Sequence, residues 1–224
     1  MSGKGQCLLS VIPVRAEGKS QAEIVTQLLY GETYSILSQN SEWIEIEIDF
    51  DGYKGWISAN QFYPQEFDPK GVVFSNRFET LHDQVVPFGA SVPHDTGFAT
   101  MSITDLALLL KGSPYLWGGK TFMGIDCSGF IQVIHKVKNI VLPRDASQQV
   151  KHGEAVAFEE RRAGDIAFFI NENGKVHHVG LLLSQNEIIH ASGSVRIDPF
   201  SITGIEHATT GNLTHSYFGI RRLK

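Results

Sequence analysis

Strict alternation marks the first third of the chain. Trp43-Ile44-Glu45-Ile46-Glu47-Ile48-Asp49 places Ile44, Ile46 and Ile48 on one face of a strand. Asp51-Gly52 follows as a turn signal, and residues 53–57 read as the returning strand. With residues 7–14, 22–29 and 33–37 the pattern predicts about five short strands, and an all-β unit this small closes into a little barrel. Residues 66–100 lose the rhythm. Pro69, Pro87, Gly89, Pro93 and Gly97 punctuate them, which predicts a connecting segment lying across the surface. So long a connection often carries function. From Ser102 the period changes. Residues 104–110 read as a helix ending near Gly112 and Pro114, and residues 126–138 as a second, with Phe130, Ile131, Ile134 and Val137 at helical spacing. Residues 166–170, 177–183, 187–191 and 217–221 read as strands. A helix followed by an antiparallel sheet is an α+β layout. The expected organisation is thus 1–65 as a small barrel, 66–100 as a linker and 101–224 as an α+β domain, with no internal repeat.

Composition narrows the classes. Apolar residues make up 42% and charged residues 19%, an ordinary globular balance. A net charge of −5 without any Lys/Arg-rich block argues against a nucleic-acid partner. No run approaches the roughly 20 apolar residues that span a bilayer, so no membrane association is expected. The apolar stretch after Lys4 is interrupted by Ser10 and Pro13 and followed by Arg15, Glu17 and Lys19, which reads as a strand rather than a secretory leader. The expected location is the cytoplasm, or the periplasm or exterior if a leader precedes this numbering; the expected state is a monomer. Two cysteines, Cys7 and Cys127, make neither a disulfide scaffold nor a structural zinc site.

Cys127 opens the second predicted helix. A thiol there lies near unpaired N–H groups and the positive end of the macrodipole, which favour thiolate and can hold an oxyanion. A free cysteine is otherwise usually a small buried hydrophobe. The histidines change the balance. Residues 177–183 and 187–191 read as a hairpin, and side chains alternate faces along each strand. An odd loop puts His178 on the face of His190; an even loop puts His177 there. Spacing alone leaves both open. A base on a sheet, oriented by a third polar group and facing a cysteine at a helix start, is an arrangement for thiol-based acyl transfer. Two other signals fall away. Gly119-Lys120-Thr121 resembles the end of a phosphate loop, but Pro114 stands where its first glycine belongs. His177, His178 and His190 have no carboxylate at ligand spacing nearby, so neither metal nor organic cofactor is expected.

Pro114-Tyr115-Leu116-Trp117-Gly118-Gly119, Asp126-Cys127-Ser128-Gly129-Phe130, Leu142-Pro143-Arg144, Gly164-Asp165-Ile166, His178-Val179-Gly180 and Ile189-His190-Ala191 occur in this order. Together they resemble the NlpC-type family of papain-like cysteine peptidases, which cleave bacterial cell-wall peptides. The first 65 residues resemble a bacterial SH3-like domain. The resemblance implies a papain-like catalytic domain behind an SH3-like barrel. It makes Cys127 the nucleophile, His178 the base, His190 the third polar residue and Tyr115 an aid to the oxyanion. A subgroup with such SH3-like domains acts on free murein tri- or tetrapeptides, releasing L-Ala-γ-D-Glu from L-lysine or diaminopimelate. Asp145 matches its aspartate for the free L-Ala amine, and Asp126 and Ser128 would hold the D-Glu part. Ser147 and Trp117 are further substrate-side candidates. Glu32 and Tyr63 are the candidates for a glutamate and a tyrosine that the SH3-like domain supplies. The alternatives are a D,L-endopeptidase acting on intact wall and a catalytically dead peptide-binding module.

Overall fold

The computed structural model describes residues 3–74, 79–81, 84–96 and 100–223. The N-terminal unit is one antiparallel sheet of six strands: β1 (Lys4–Gln6), β2 (Val11–Arg15), β3 (Ile24–Leu29), β4 (Thr33–Gln39), β5 (Trp43–Ile48) and β6 (Lys54–Ser58). Their order is β1-β4-β5-β6-β2-β3. The alternation in β5 has the expected outcome, with Ile44, Ile46 and Ile48 buried. They pack with Cys7, Ile12, Val14, Leu28, Tyr34 and Ile57 into the barrel's own core. The stretch expected as one strand over 7–14 divides instead. β1 ends at Gln6, and the Cys7 thiol turns inward to donate to the Leu9 carbonyl at 3.1 Å.

Residues 66–100 carry more structure than the sequence suggested. Gly71–Val72 pairs with Ser91–Val92, and Glu79–Leu81 with Gln84–Val86. Val73, Val86, Ala90 and Val92 bury themselves against Tyr30 of the barrel. The apolar residues between the prolines are too few for a periodic signal, yet enough to anchor the segment. Gly97 of this stretch lies outside the described residues.

The C-terminal unit begins with α1 (Ile103–Leu109), capped by the Ser102 hydroxyl, which accepts from Asp105 N–H. α2 spans Cys127–Lys136 and is buried all round. Such a helix must find partners for its polar side chains. Gln132 donates to Asp51 and to the Leu142 carbonyl, His135 bonds the Ile131 carbonyl, and Lys136 pairs with Glu32. A short helix, α3 (Ala146–Gln149), follows. The sheet comprises β7 (Glu154–Val156), β8 (Ile166–Ile170), β9 (Val176–Leu182), β10 (Glu187–Ser192), β11 (Ser194–Ser201), β12 (Gly204–Glu206) and β13 (Leu213–Arg222), in the order β7-β13-β8-β9-β10-β11-β12. Because β12 also pairs with β13, the sheet closes on itself. α2 shares one core with Phe168, Val179, Leu181 and Ile189 of this sheet. The opposite face buries Ala167, Phe169, Leu182, Ile188 and Phe200. This is the expected helix-on-sheet domain, with β7, β11 and β12 beyond the predicted strands.

The two units meet through buried polar groups. Glu32 of the barrel bonds Lys136 at 2.7 Å and Lys120 at 3.3 Å, all three side chains being nearly inaccessible. Burial alone would raise the Glu32 carboxyl, but the two ammonium groups overturn that and hold it at about 2. Gln27 accepts from Lys120 N–H, and Thr26 accepts from Arg144 Nε. These contacts fix which barrel residues face the catalytic domain.

Candidate active site

Cys127 stands at the first position of α2 because Asp126 ends the preceding chain in an extended conformation and caps the helix, accepting from Gly129 N–H at 2.7 Å. Gly129 is required for this fit, since a Cβ there would lie 2.4 Å from the Gly119 carbonyl and 3.0 Å from Asp126 Oδ1. Asp126 also accepts from Gly118 N–H and forms a two-pronged ion pair with buried Arg144. Both its oxygens are engaged. Asp126 thus holds the helix start while also lining the cavity where it was expected to meet substrate. Ser128 accepts from Arg144 at 2.8 Å.

The β9–β10 hairpin settles the choice between the two histidines. Gly180 pairs with His190, Leu181 with Ile189 and Leu182 with Ile188, so partner numbers sum to an even value and His178 shares a face with His190. Nε2 of His178 lies 2.8 Å from Nδ1 of His190. Gly180 makes the room, because a Cβ there would meet the His190 Cβ at 2.9 Å. His177 is exposed and stacks on His215 of β13, which itself stacks on His178 with ring centroids 3.9 Å apart.

Cys127, His178, His177 and His215 line a single cavity of about 630 Å³, with Tyr115, Trp117, Asp126, Ser128, Arg144, Asp145 and Ser147 around it. Two candidates lie elsewhere. Glu32 is locked in the buried Lys120–Lys136 pair, and Tyr63 is half-buried in the barrel, its carbonyl bonded to Gln6 N–H. The barrel residues that do reach the cavity are Glu23, Val25 and Tyr53. Glu23 accepts from the Trp117 indole N–H. Sequence reasoning passed over Glu23 and Tyr53; their one signal is position, just before β3 and just after the Asp51-Gly52 turn.

The electrostatics differ from the expected pre-formed thiolate. Burial first, then the Asp126 carboxylate, push the Cys127 thiol up to about 12, against hydrogen bonds to the Val179 and Ser128 backbone. The cap that makes the helix start puts a negative charge where the macrodipole is positive. Burial, then His215, His190 and His177, hold His178 well below its ordinary value. Both shifts favour the uncharged forms, a thiol on Cys127 and a neutral imidazole on His178. Burial and the neighbouring Cys127 raise the Tyr115 phenol to about 12, which keeps it a donor. His178, His190 and His215 bring three ring nitrogens within 4.8 Å. Hydrogen bonds already engage Nε2 of His178 and both nitrogens of His190, an arrangement that fits a proton path.

A thiol at a helix start and an imidazole sharing one cavity, the imidazole backed by a second on the same closed sheet, define a cysteine peptidase. Residues 112–219 match the NlpC/P60 family and residues 14–62 the bacterial dipeptidyl-peptidase SH3 domain. The chain thus carries an NlpC/P60 domain with a bacterial dipeptidyl-peptidase SH3 domain in front of it, and is a cysteine peptidase. It is 26% identical to a gamma-D-glutamyl-L-lysine dipeptidyl-peptidase of Bacillus cereus, over 81% of this chain and 72% of that protein. A protein of the same description from Bacillus subtilis is 29% identical, over 75% and 72%. The crystal structure of an NlpC/P60 family protein from Bacillus cereus superposes with a TM-score of 0.82 at 21% identity, covering 98% of this chain and 99% of that one, which establishes the shared fold.

Proposed function

We propose that this peptidase hydrolyses the γ-D-Glu–L-lysine or γ-D-Glu–diaminopimelate bond of free murein peptides whose N-terminal L-Ala is unblocked, releasing L-Ala-γ-D-Glu. The observation that carries the reading is the acid set on the cavity wall. Asp145 of the catalytic domain and Glu23 of the barrel line the same cavity as Cys127, with Tyr53 beside them. The Asp126 charge there is already answered by Arg144. An ammonium at that end meets carboxylates in a partly desolvated pocket, where charge-assisted hydrogen bonds are strong. An acylated L-Ala brings no such charge. The two Bacillus dipeptidyl-peptidases support the same substrate class.

In this reading His178 takes the thiol proton as Cys127 Sγ attacks the γ-carbonyl of D-Glu. The oxyanion lies toward the Cys127 N–H, which has no intrahelical acceptor at the first helical position, and the Tyr115 hydroxyl. The imidazolium then protonates the departing amine of the diamino acid. Water, deprotonated by the same imidazole, cleaves the thioester and regenerates the thiol. Product analysis with L-Ala-γ-D-Glu-L-Lys and its N-acetylated form tests the proposal. Strong preference for the free tripeptide supports it; equal rates on both favour an endopeptidase acting on intact wall, and cleavage of neither favours a binding module.

A further inference from the structure

The hydrogen-bond chain leaving the base does not end at His190. Nε2 of His190 lies 2.8 Å from Oδ2 of Asp198 on β11, in register two residues beyond Arg196, which pairs with His190. Asp198 is 1% exposed. The same Oδ2 receives Arg196 Nε at 2.8 Å, and Oδ1 receives the Ala208 N–H at 2.9 Å. Burial opposes the charge, but these donors hold the carboxyl well below its usual range. Asp198 is therefore an acceptor only.

That fact propagates. A neutral imidazole has one N–H and one lone pair. His190 must place its hydrogen on Nε2 to meet the carboxylate, which leaves Nδ1 as an acceptor. His178 must then donate from Nε2, which leaves its own Nδ1 bare. Nδ1 is the nitrogen not engaged with His190, on a ring that lines the same cavity as the thiol. This tautomer chain runs through a neutral His190. Around it stand Asp198 and Arg196 of β11, His178 of β9, His207 of the loop between β12 and β13, and His215 of β13. Arg196 answers the carboxylate at the very oxygen His190 uses, and burial lowers the imidazole further.

We propose that Asp198 is a positioning residue that fixes the tautomers of His190 and His178 together, so that the base presents a lone pair to Cys127. When His178 takes the thiol proton on Nδ1, its Nε2–H stays bonded to His190 and Asp198 gains no proton. The inference rests on the reading of His178 as the base.

The direct test is nitrogen-15 NMR of the histidine rings in the full-length chain, with His178 and His190 assigned by single substitution. The expected result is Nε2–H with a bare Nδ1 on both rings; Nδ1–H on His178 overturns the proposal. Kinetics supply the second arm. Asp198→Asn and Asp198→Ala are expected to lower kcat about 10²- to 10⁴-fold, the range that a wrong tautomer causes in a triad, with KM little changed. Asp198→Ala placed in a His190→Ala background is expected to cause no further loss, because Asp198 acts only through His190. Losses that multiply, or wild-type kcat in Asp198→Ala, refute it. Should Cys127→Ala retain activity, the reading of the site falls on its own while the ring spectra still report the tautomers.

Discussion

Asp145→Asn probes the proposed recognition of a free amine with little disturbance to the fold. Asp145 occupies the N-cap of α3, yet its side chain makes no capping hydrogen bond, so the helix does not depend on the carboxylate. Burial raises the Asp145 carboxyl, Arg144 opposes that, and Asp126 and Asp51 add to the rise. Asparagine keeps shape and volume while removing the charge. A hydrogen bond between charged groups contributes about 1.5–3 kcal/mol, which converts to roughly 10- to 150-fold in kcat/KM for L-Ala-γ-D-Glu-L-Lys. The N-acetylated peptide has no ammonium, so its weak cleavage should be unchanged and the preference for the free amine should shrink by the same factor. Acid gives an independent arm. Because Asp145 is raised, the wild-type preference should fade on acidification at a higher pH than an ordinary carboxylate would dictate, and the variant should lack that limb. An equal drop on both peptides, or no drop on either, refutes the recognition argument.

Other changes test other parts of the account. Glu32→Gln leaves Lys120 and Lys136 buried without a counter-charge and should cost about 3–5 kcal/mol in chemical denaturation. Since Glu32 is held at about 2, below its ordinary 4.5, that contribution is complete above 4.5 and lost as pH falls toward 2, so variant and wild type should converge in acid. A loss under about 1 kcal/mol at neutral pH contradicts the triad's role. His178 is lowered, so the acid limb of kcat/KM should fall below 6.5. Arg196 helps lower both His178 and His190, so Arg196→Gln should move that limb to higher pH; a shift the other way contradicts the assignment.

Much of the fold was legible because its patterns are local. The alternation of β5 and the helical spacing of Phe130, Ile131 and Ile134 need no tertiary knowledge. β11 was missed although Val195 and Ile197 alternate with Arg196 and Asp198 after the Ser192-Gly193 turn, and with it went Asp198. The neighbourhood of Cys127 was legible as a motif, but its protonation state was not, because the rise to about 12 comes from burial and from the cap that starts the helix. The family resemblance points to Glu32 and Tyr63 only by residue type and approximate place. Which acid of a small barrel faces a neighbour depends on docking, and the Lys120–Lys136 pair captures Glu32 while β3 turns Glu23 toward the cavity.

The central claim is that one sulfur does the chemistry. Cys127→Ala, incubated with L-Ala-γ-D-Glu-L-Lys and followed by mass spectrometry, should yield no L-Ala-γ-D-Glu under conditions in which the wild type converts the peptide completely, while Cys7→Ala retains activity. Dipeptide released by Cys127→Ala at the wild-type rate contradicts the account.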